Sequence, residues 1–391
     1  MKIVQYCQHV LGVGHYFRSL EIARALHHHE IVLVTGGPPV EVDLPSHVTE
    51  YRLPGLQMDG AFTVISPTDA NRALDEVKEE RKRLLYSLFE KNPPDIFLLE
   101  LYPFGRKSFS FEILPLLEAI HRGDLSSTKV VCSLRDILVE KGNQKTYEQR
   151  VVDILNKYFD GLLVHADETL VSLSETFEST DRIKIPMVYT GFIAPRPEPD
   201  QGKKIRTRLG LKRDEALVVA SAGGGRVGEE LLRAVVEAYA RLPGGRSLRL
   251  CVFTGPFMEE AHFSALTERV ALLPGVQLRR FTADFLSYLA AADLSISMAG
   301  YNTCMNILAT GVPSLVFPFS QNREQRIRAE KLAALGSLRL LREADLEPSR
   351  LATLIAEALN SEIKPGRIPV SLDGARETAR WLEHWHTRAS S

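Results

Sequence analysis

Short apolar runs alternate with amphipathic stretches along most of the chain, and one order of runs occurs twice. Lys2–Cys7 (KIVQYC) is an apolar run of strand length that gives way to the loop HVLGVGH and then to a helix over Tyr16–Leu26. Ile31–Val34 (IVLV) follows as a strand ending in Thr-Gly-Gly-Pro. From Ala216 the order repeats. Ala216–Ser221 (ALVVAS) is a strand, Gly223-Gly224-Gly225 a loop, Val227–Leu242 a helix, and Leu248–Phe253 (LRLCVF) a strand ending in Thr-Gly-Pro. Continuous apolar runs between helical stretches fit strands covered on both faces, as in a parallel sheet. Two copies predict two doubly wound domains.

More strands fit each half. Ile96–Leu99, Val130–Ser133, Gly161–Val164 and Met187–Thr190 extend the first, and Val276–Arg280, Leu294–Ser297 and Ser314–Phe317 the second. The stretch GFIAPRPEPDQGKK between them is rich in Pro and charge, as linkers are. The expected organisation is a first Rossmann-like domain over 1–191, a linker over 192–204, a second domain over 205–362 and a helical tail over 363–391. That tail carries Trp381 and Trp385 four residues apart. Its apolar stripe must be buried, and the first domain is one place for it.

Composition narrows the function. The chain has 391 residues, 45% hydrophobic and 25% charged, with a formal net charge of −1. That charge gives no global attraction to nucleic acid or anionic lipid. No apolar run is long enough to span a bilayer, and MKIVQYCQHV lacks the long apolar core of a signal peptide. Cys7, Cys132, Cys251 and Cys304 are far apart, three of them in expected strands, which predicts buried thiols. There is no CxxC or HExxH, so no metal ligand set is assigned. These features read as a cytoplasmic, metal-free protein.

Chemistry gathers where strands end. Met298–Leu332 (MAGYNTCMNILATGVPSLVFPFSQNREQRIRAEKL) is a Gly-bounded turn, a helix, a strand ending in Pro-Phe, a polar loop and a second helix. In open α/β sheets ligands bind at the carboxyl ends of strands. Asn302, Thr303, Asn306, Arg323 and Gln325 crowd this end. Their amides suit hydroxyls and the guanidinium suits phosphate, although helix capping and a solvated face for REQRIR explain them equally well. Gly223–Gly228 matches GxGxxG after a strand. The acid that a dinucleotide needs about 20 residues on is absent, since the next strand ends in Thr254-Gly255, which disfavours NAD but not a bound diphosphate. GxxxxGK[ST] is absent as well.

In the first half, Gly12 and Gly14 open a helix whose first turn carries His15, an imidazole suited to general base catalysis near neutral pH. A tight turn with a solvated histidine accounts for the same residues. Leu101–Lys107 (LYPFGRK) places aromatic and basic side chains beyond the strand that ends at Glu100, as the wall of an acceptor groove or as a core loop with a solvated Arg-Lys pair. His27-His28-His29 resembles a metal cluster, but consecutive helical residues point apart, and a helix end that favours cationic side chains is the simpler reading.

With these residues in view, the chain resembles the MurG-like group of GT-B glycosyltransferases. The resemblance is strongest over FTADFLSYLAAADLSISMAGYNTCMNILATGVPSLVFPFSQNREQ and clear at GVGHYFRSLEIARAL. LLELYPFGRKSFSFEILPLL and VVCSLRDILV are similar to a predicted bacterial subgroup with a family 28-type C-terminal domain. The resemblance implies a GT-B fold, two doubly wound Rossmann-like domains facing across a cleft. It implies transfer of a sugar, with inversion and without a metal or other cofactor, from a nucleoside-diphosphate co-substrate, most often a UDP-sugar. The acceptor is an unspecified glycan, lipid or small molecule, and a lipid would bring the protein to the inner membrane face.

Residue by residue, the resemblance implies donor roles for Gly14, Gly223, Gly224, Gly225, Arg226, Phe281, Thr282, Gly300, Asn302, Thr303, Asn306 and Gln325. The Gly loop would meet the diphosphate, Phe281 and Thr282 the base, Thr303 and the helix after Gly300 the α-phosphate or ribose, and Gln325 the sugar. His15 and Glu100 would be catalytic, and Tyr102 and Arg106 would lie on the acceptor side. Asn306 stands where the family usually has Glu on the ribose hydroxyls. GVGHYFR equally fits a UDP-sugar hydrolase in which His15 activates water. An epimerase of the same fold and a non-catalytic nucleotide-sugar binder are the remaining alternatives.

Overall fold

The computed structural model describes residues 1–9, 14–40, 42–58, 65–138, 142–242, 247–319, 321–361 and 369–389. The chain divides into two compact units, 1–193 with 370–391, and 194–369.

The first unit holds β1 (Lys2–Tyr6), β2 (Glu30–Thr35), β3 (Val48–Arg52), β4 (Leu56–Met58), β5 (Ile65–Pro67), β6 (Ile96–Glu100), β7 (Lys129–Arg135), β8 (Gly161–His165) and β9 (Met187–Tyr189). Its helices include α1 (Gly14–Ala25), α2 (Leu74–Lys91), α3 (Ser110–Arg122) and α4 (Gln144–Tyr158). Seven of these strands form a parallel sheet in the order β3-β2-β1-β6-β7-β8-β9, while β4 and β5 pair antiparallel. The chain builds outward from β1 to β3, then returns to lay β6 against the other side of β1, with Tyr6 opposite Leu99. That reversal opens a crevice beyond the carboxyl ends of β1 and β6.

The second unit holds β10 (Ala216–Ser221), β11 (Leu248–Phe253), β12 (Val276–Arg279), β13 (Leu294–Met298), β14 (Ser314–Phe317) and β15 (Arg339–Leu340). Its helices are α5 (Gln201–Arg208), α6 (Glu229–Tyr239), α7 (Glu260–Ala271), α8 (Phe285–Ala291), α9 (Tyr301–Thr310), α10 (Arg323–Ala334) and α11 (Pro348–Asn360). The strands are parallel in the order β12-β11-β10-β13-β14-β15, so the same reversal falls between β10 and β13, with Ser221 opposite Ser297. The two doubly wound parallel sheets are those expected from the repeated pattern.

Helix α12 (Gly374–Ala389) packs on α1 in the first unit. Ala379 and Leu382 enter the core with Leu20, Ile22 and Ala23, and Trp381 and Trp385 lie at its margin with ring centroids 4.7 Å apart. A Cβ on Gly161 would come within 2.7 Å of the Trp381 ring, so the absent side chain there admits the indole. His29 Nε2 lies 2.9 Å from Glu383 Oε1 and adds a polar tie. Within the stretch 192–204, Phe192 and Ile193 are buried, and Phe192 N–H donates to the Ser371 carbonyl at 2.8 Å. Helix α5 begins at Gln201. The proline-rich run is therefore short, and both of its ends are built into structure.

One buried ion pair shapes the loops beyond β1. Arg81 of α2 and Glu112 of α3 are fully enclosed; Arg81 Nη2 donates to Glu112 Oε1 at 2.6 Å and Nε to Oε2 at 2.8 Å. Tyr6 donates its hydroxyl to the same carboxylate, and Arg81 also reaches the Pro54 carbonyl and Gln8 Oε1. A buried charge without such partners costs several kcal/mol. The network fixes α2 and α3 against the end of β1.

Replacing Leu382 by Ala removes a fully buried side chain that joins α12 to α1. We expect a loss of about 2–5 kcal/mol in the stability of the first unit, read as a lower urea midpoint at unchanged slope.

Candidate functional site

At the first crevice, β6 ends in Glu100, which is buried and paired on several sides. His15, on the first turn of α1, places Nδ1 2.6 Å from Glu100 Oε1. Arg18, one turn on, donates through Nη2 to the same oxygen and lies 2.9 Å from His15 Nδ1. Arg106 Nη2 stands 3.7 Å from Glu100 Oε2. The spacing i, i+3 puts His15 and Arg18 on one face of α1, toward the strand end. Arg18 is buried, whereas the His15 side chain keeps 22% of its surface. Gly14 begins this helix; Gly12 lies outside the described residues.

Nδ1 of His15 faces a carboxylate, which only accepts, and a guanidinium, which only donates. The shorter contact to the anion favours a proton on Nδ1, which leaves the lone pair on Nε2, and Nε2 makes no hydrogen bond among the described residues. Burial lowers the His15 pKa to about 3, against the opposing pull of Glu100. The imidazole is neutral at neutral pH. Burial alone would raise the Glu100 pKa, but His15, Arg18 and Arg106 outweigh it and hold the carboxyl well below the usual range. The crevice thus presents a neutral base above a fixed carboxylate.

The loop after β6 is tightly held. Gly105 N–H donates to the Leu101 carbonyl at 2.8 Å, Phe109 N–H to the Arg106 carbonyl at 2.8 Å, and the Tyr147 hydroxyl to the Phe104 carbonyl at 2.8 Å. Arg106 adopts φ 58°, a left-handed conformation that costs a non-glycine residue about 1 kcal/mol or more. The expected solvated Arg-Lys pair is split. Lys107 is exposed, and Arg106 turns inward to the crevice. Tyr102 corrects the expectation of an acceptor-side aromatic. Its side chain is fully buried beside Phe159, so it supports the loop from within the core.

At the second crevice, Gly223, Gly225, Gly228 and Gly255 all have positive φ. A Cβ on Gly225 would stand 2.4 Å from the Thr254 carbonyl oxygen, and one on Gly255 2.4 Å from the Gly223 carbonyl oxygen. Backbone packs directly on backbone here, which only glycine allows. Gly223 N–H donates to Ser221 Oγ at 3.1 Å, and Gly223 and Gly224 face solvent. Arg226 lies over the Phe257 ring at 5.6 Å. The loop of β10 meets the helix start of β13 at Thr303, whose Oγ1 is 3.9 Å from the Cβ positions of both Gly223 and Gly300. Gly300 is the N-cap of α9. An exposed Gly223-Gly224 backbone, a helix N-terminus and a hydroxyl therefore lie together, an arrangement suited to an anion.

The remaining second-unit residues surround this point or support it. Phe281 leaves 49% of its surface exposed beyond β12, and Thr282 Oγ1 accepts from Asp284 N–H at 3.1 Å. Asn302 and Asn306 are half-buried on α9. Gln325 Oε1 accepts from Phe319 N–H at 3.0 Å, so its carbonyl holds the loop after β14. Sequence reasoning missed Arg328. REQRIR was expected to have a solvated face, yet Arg328 is buried, donates to the Ala299 carbonyl at 3.1 Å and to Glu324 at 2.7 Å, and stacks near Tyr301. It anchors the turn that sets the start of α9. The available signal was its place as the sixth residue of a helix with Ala329 and Leu332 on the same buried side.

Other chemistry-bearing residues lie apart. The four cysteines are buried and form no disulfide. His27 and His28 stack at 3.9 Å, while His29 turns to Glu383. Among the described residues no group of three or more His, Cys, Asp or Glu could hold a metal ion, and no helix is long and apolar enough to cross a membrane.

Residues 218–367 match the family model of the glycosyltransferase family 28 C-terminal domain. Among relatives, the UDP-N-acetylglucosamine–N-acetylmuramyl-(pentapeptide) pyrophosphoryl-undecaprenol N-acetylglucosamine transferase of Caldicellulosiruptor saccharolyticus is 26% identical over 39% of this chain and 41% of its own length. The chain spans about half the length of the first curated relatives it matches, 41%, 52% and 45%. The fold is similar to that of the calicheamicin glycosyltransferase CalG4, with TM-score 0.60 and 17% identity over 100% of this chain and 99% of the other. It is also similar to Anabaena HepE in complex with UDP-glucose, with TM-score 0.56 and 14% identity over 100% of each chain. These glycosyltransferase structures share the two-domain GT-B fold.

Acid should weaken the first unit through its histidines. His165 is buried between Ser133 Oγ at 2.7 Å and Thr190 Oγ1 at 2.8 Å, and burial lowers its pKa to about 3, as for His15. Between that value and about 6.5 the unfolded chain binds the extra protons, so stability falls as pH falls through this window. Replacing His165 by Asn should flatten the dependence near pH 5 by about 1.4 kcal/mol per pH unit, measured from urea unfolding at a series of pH values.

Proposed function

We propose that this chain, with a glycosyltransferase family 28 C-terminal domain over residues 218–367, moves a sugar from a nucleoside-diphosphate donor to an acceptor hydroxyl. The observation that carries the reading is the neutral His15 imidazole held on Glu100, with Nε2 open at the first crevice. The second unit takes the donor. Its Gly223–Gly225 amides and the start of α9 suit a diphosphate, Thr303 hydrogen-bonds a phosphate or ribose oxygen, exposed Phe281 offers a face to the base, and the Gln325 amide group donates to a sugar hydroxyl. A UDP-sugar is the donor we favour, since the HepE structure holds UDP-glucose. Asn306 offers the ribose one acceptor and one donor group.

In the step itself, Nε2 of His15 takes the proton of the acceptor hydroxyl as its oxygen attacks the anomeric carbon. The bond from that carbon to the diphosphate oxygen breaks, the configuration inverts, and the nucleoside diphosphate leaves. The imidazolium so formed faces Glu100 at 2.6 Å, which stabilises it. Backbone N–H groups and the helix dipole stabilise the charge growing on the leaving group, so the reading assigns no cation. The acceptor is a glycan, lipid or small molecule, and a lipid acceptor would bring the protein to a membrane surface on the cytoplasmic side.

Two variants test the two halves. His15→Ala should lower kcat about 10²–10⁴-fold with UDP affinity unchanged by calorimetry; full activity in that variant removes His15 from the mechanism. Thr303→Ala should weaken UDP binding by about 1.5–3 kcal/mol, and an unchanged affinity would place the diphosphate elsewhere.

A further inference from the structure

Arg106 is left over after the chemistry of the first crevice is accounted for. Glu100 Oε1 serves His15 and Arg18, and Glu100 Oε2 has no hydrogen-bond partner among the described residues. Arg106 Nη2 stands 3.7 Å from that second oxygen, too far to donate to it. Its Nε and Nη2 are both buried and make no hydrogen bond among the described residues, although the side chain is nine-tenths enclosed, with 10% of its surface left. Buried guanidinium N–H groups without partners are costly unless something fills them. Nε and Nη2 form one edge of the guanidinium, the fork that fits two oxygens of a carboxylate or phosphate.

The local charge agrees. Two guanidiniums, Arg18 and Arg106, stand against one carboxylate with a neutral imidazole beside them, so the cluster carries one positive charge in excess. Arg106 lies close enough to act on Cys7, His9 and His15 as well as Glu100, which places it in the crevice of β1 and β6. The loop that carries it is pinned at Leu101, Phe104 and Arg106 itself, so the guanidinium is presented by a fixed backbone.

We propose that the Nε–Nη2 edge of Arg106 is an oxyanion subsite, and that the acceptor carries a phosphate or carboxylate close to the hydroxyl that His15 activates. This rests on the transferase reading only for the word acceptor; the anion site itself does not. Arg106 then holds the substrate by charge and by two parallel hydrogen bonds, and it orients the neighbouring hydroxyl toward Nε2 of His15. Neutral sugars or aglycones would leave the fork empty and bind weakly.

The test titrates inorganic phosphate, and separately acetate, into the full chain at constant ionic strength made up with chloride and with UDP in excess to fill the donor side. Binding is followed by melting temperature for the wild type, R106Q and R106K. The wild type should show a saturable rise with one of the two anions, and whichever binds tighter marks the acceptor as phosphate or carboxylate. R106Q should bind that anion at least about tenfold more weakly while keeping the wild-type response to UDP. If R106Q does not fold, R106K, which keeps the charge but lacks the fork, should bind at least about threefold more weakly. Equal binding by wild type and variant, or no saturable response to either anion, overturns the proposal. A chain that ignores UDP but binds the anion through Arg106 overturns the nucleotide reading and leaves this one standing.

Discussion

A carboxylate at the end of a buried parallel strand must keep its charge or lose its purpose, and the first crevice is organised around that demand. Glu100 is buried. It is stabilised by Arg18 and His15 from the first turns of one helix and by Arg106 from the loop that follows its own strand. Satisfying Glu100 fixes the position of α1 against β6, the tautomer of His15 and the inward turn of Arg106 together. Removing it would leave a buried guanidinium and a disoriented imidazole, so a single interaction governs both the local structure and the chemistry available.

The second unit reaches a comparable result by another route. Where the first crevice uses side-chain charge, the second uses backbone. Glycines at 223, 225 and 255 let two loops pack backbone on backbone, and Arg328 holds the turn at Ala299 from below. A site built from amides and a helix start carries fixed partial charges that need no titration. In the proposed reading one unit supplies the proton acceptor and the other the cradle for negative charge, the division of labour that group transfer from a diphosphate requires.

Much of this was legible in the sequence for a plain reason. Strands covered on both faces must be apolar throughout, so β10, β11 and β14 could be read to the residue and β1, β6 and β13 within a residue or two. The repeated strand, Gly loop and helix carried the two-domain fold. Two of the four edge strands escaped, because VTEYR in β3 is half-exposed and mixed in polarity and β15 has only two residues. His15, Glu100 and the Gly loop could be named because strand ends are where doubly wound folds place chemistry. The side-chain pairings could not. Nothing in LYPFGRK separates a buried Tyr102 from an inward Arg106, and nothing in REQRIR marks which arginine is enclosed. Those outcomes depend on contacts between residues far apart in the chain.

The return of α12 to the first unit makes that unit discontinuous, while the second is one unbroken stretch of chain. Translation finishes 194–369 before it makes α12. The second unit can therefore close its core while the first still exposes the face of α1 that Ala379 and Leu382 later cover. The half that carries the proposed base is completed after the other, and until then its unfinished apolar surface needs protection from aggregation.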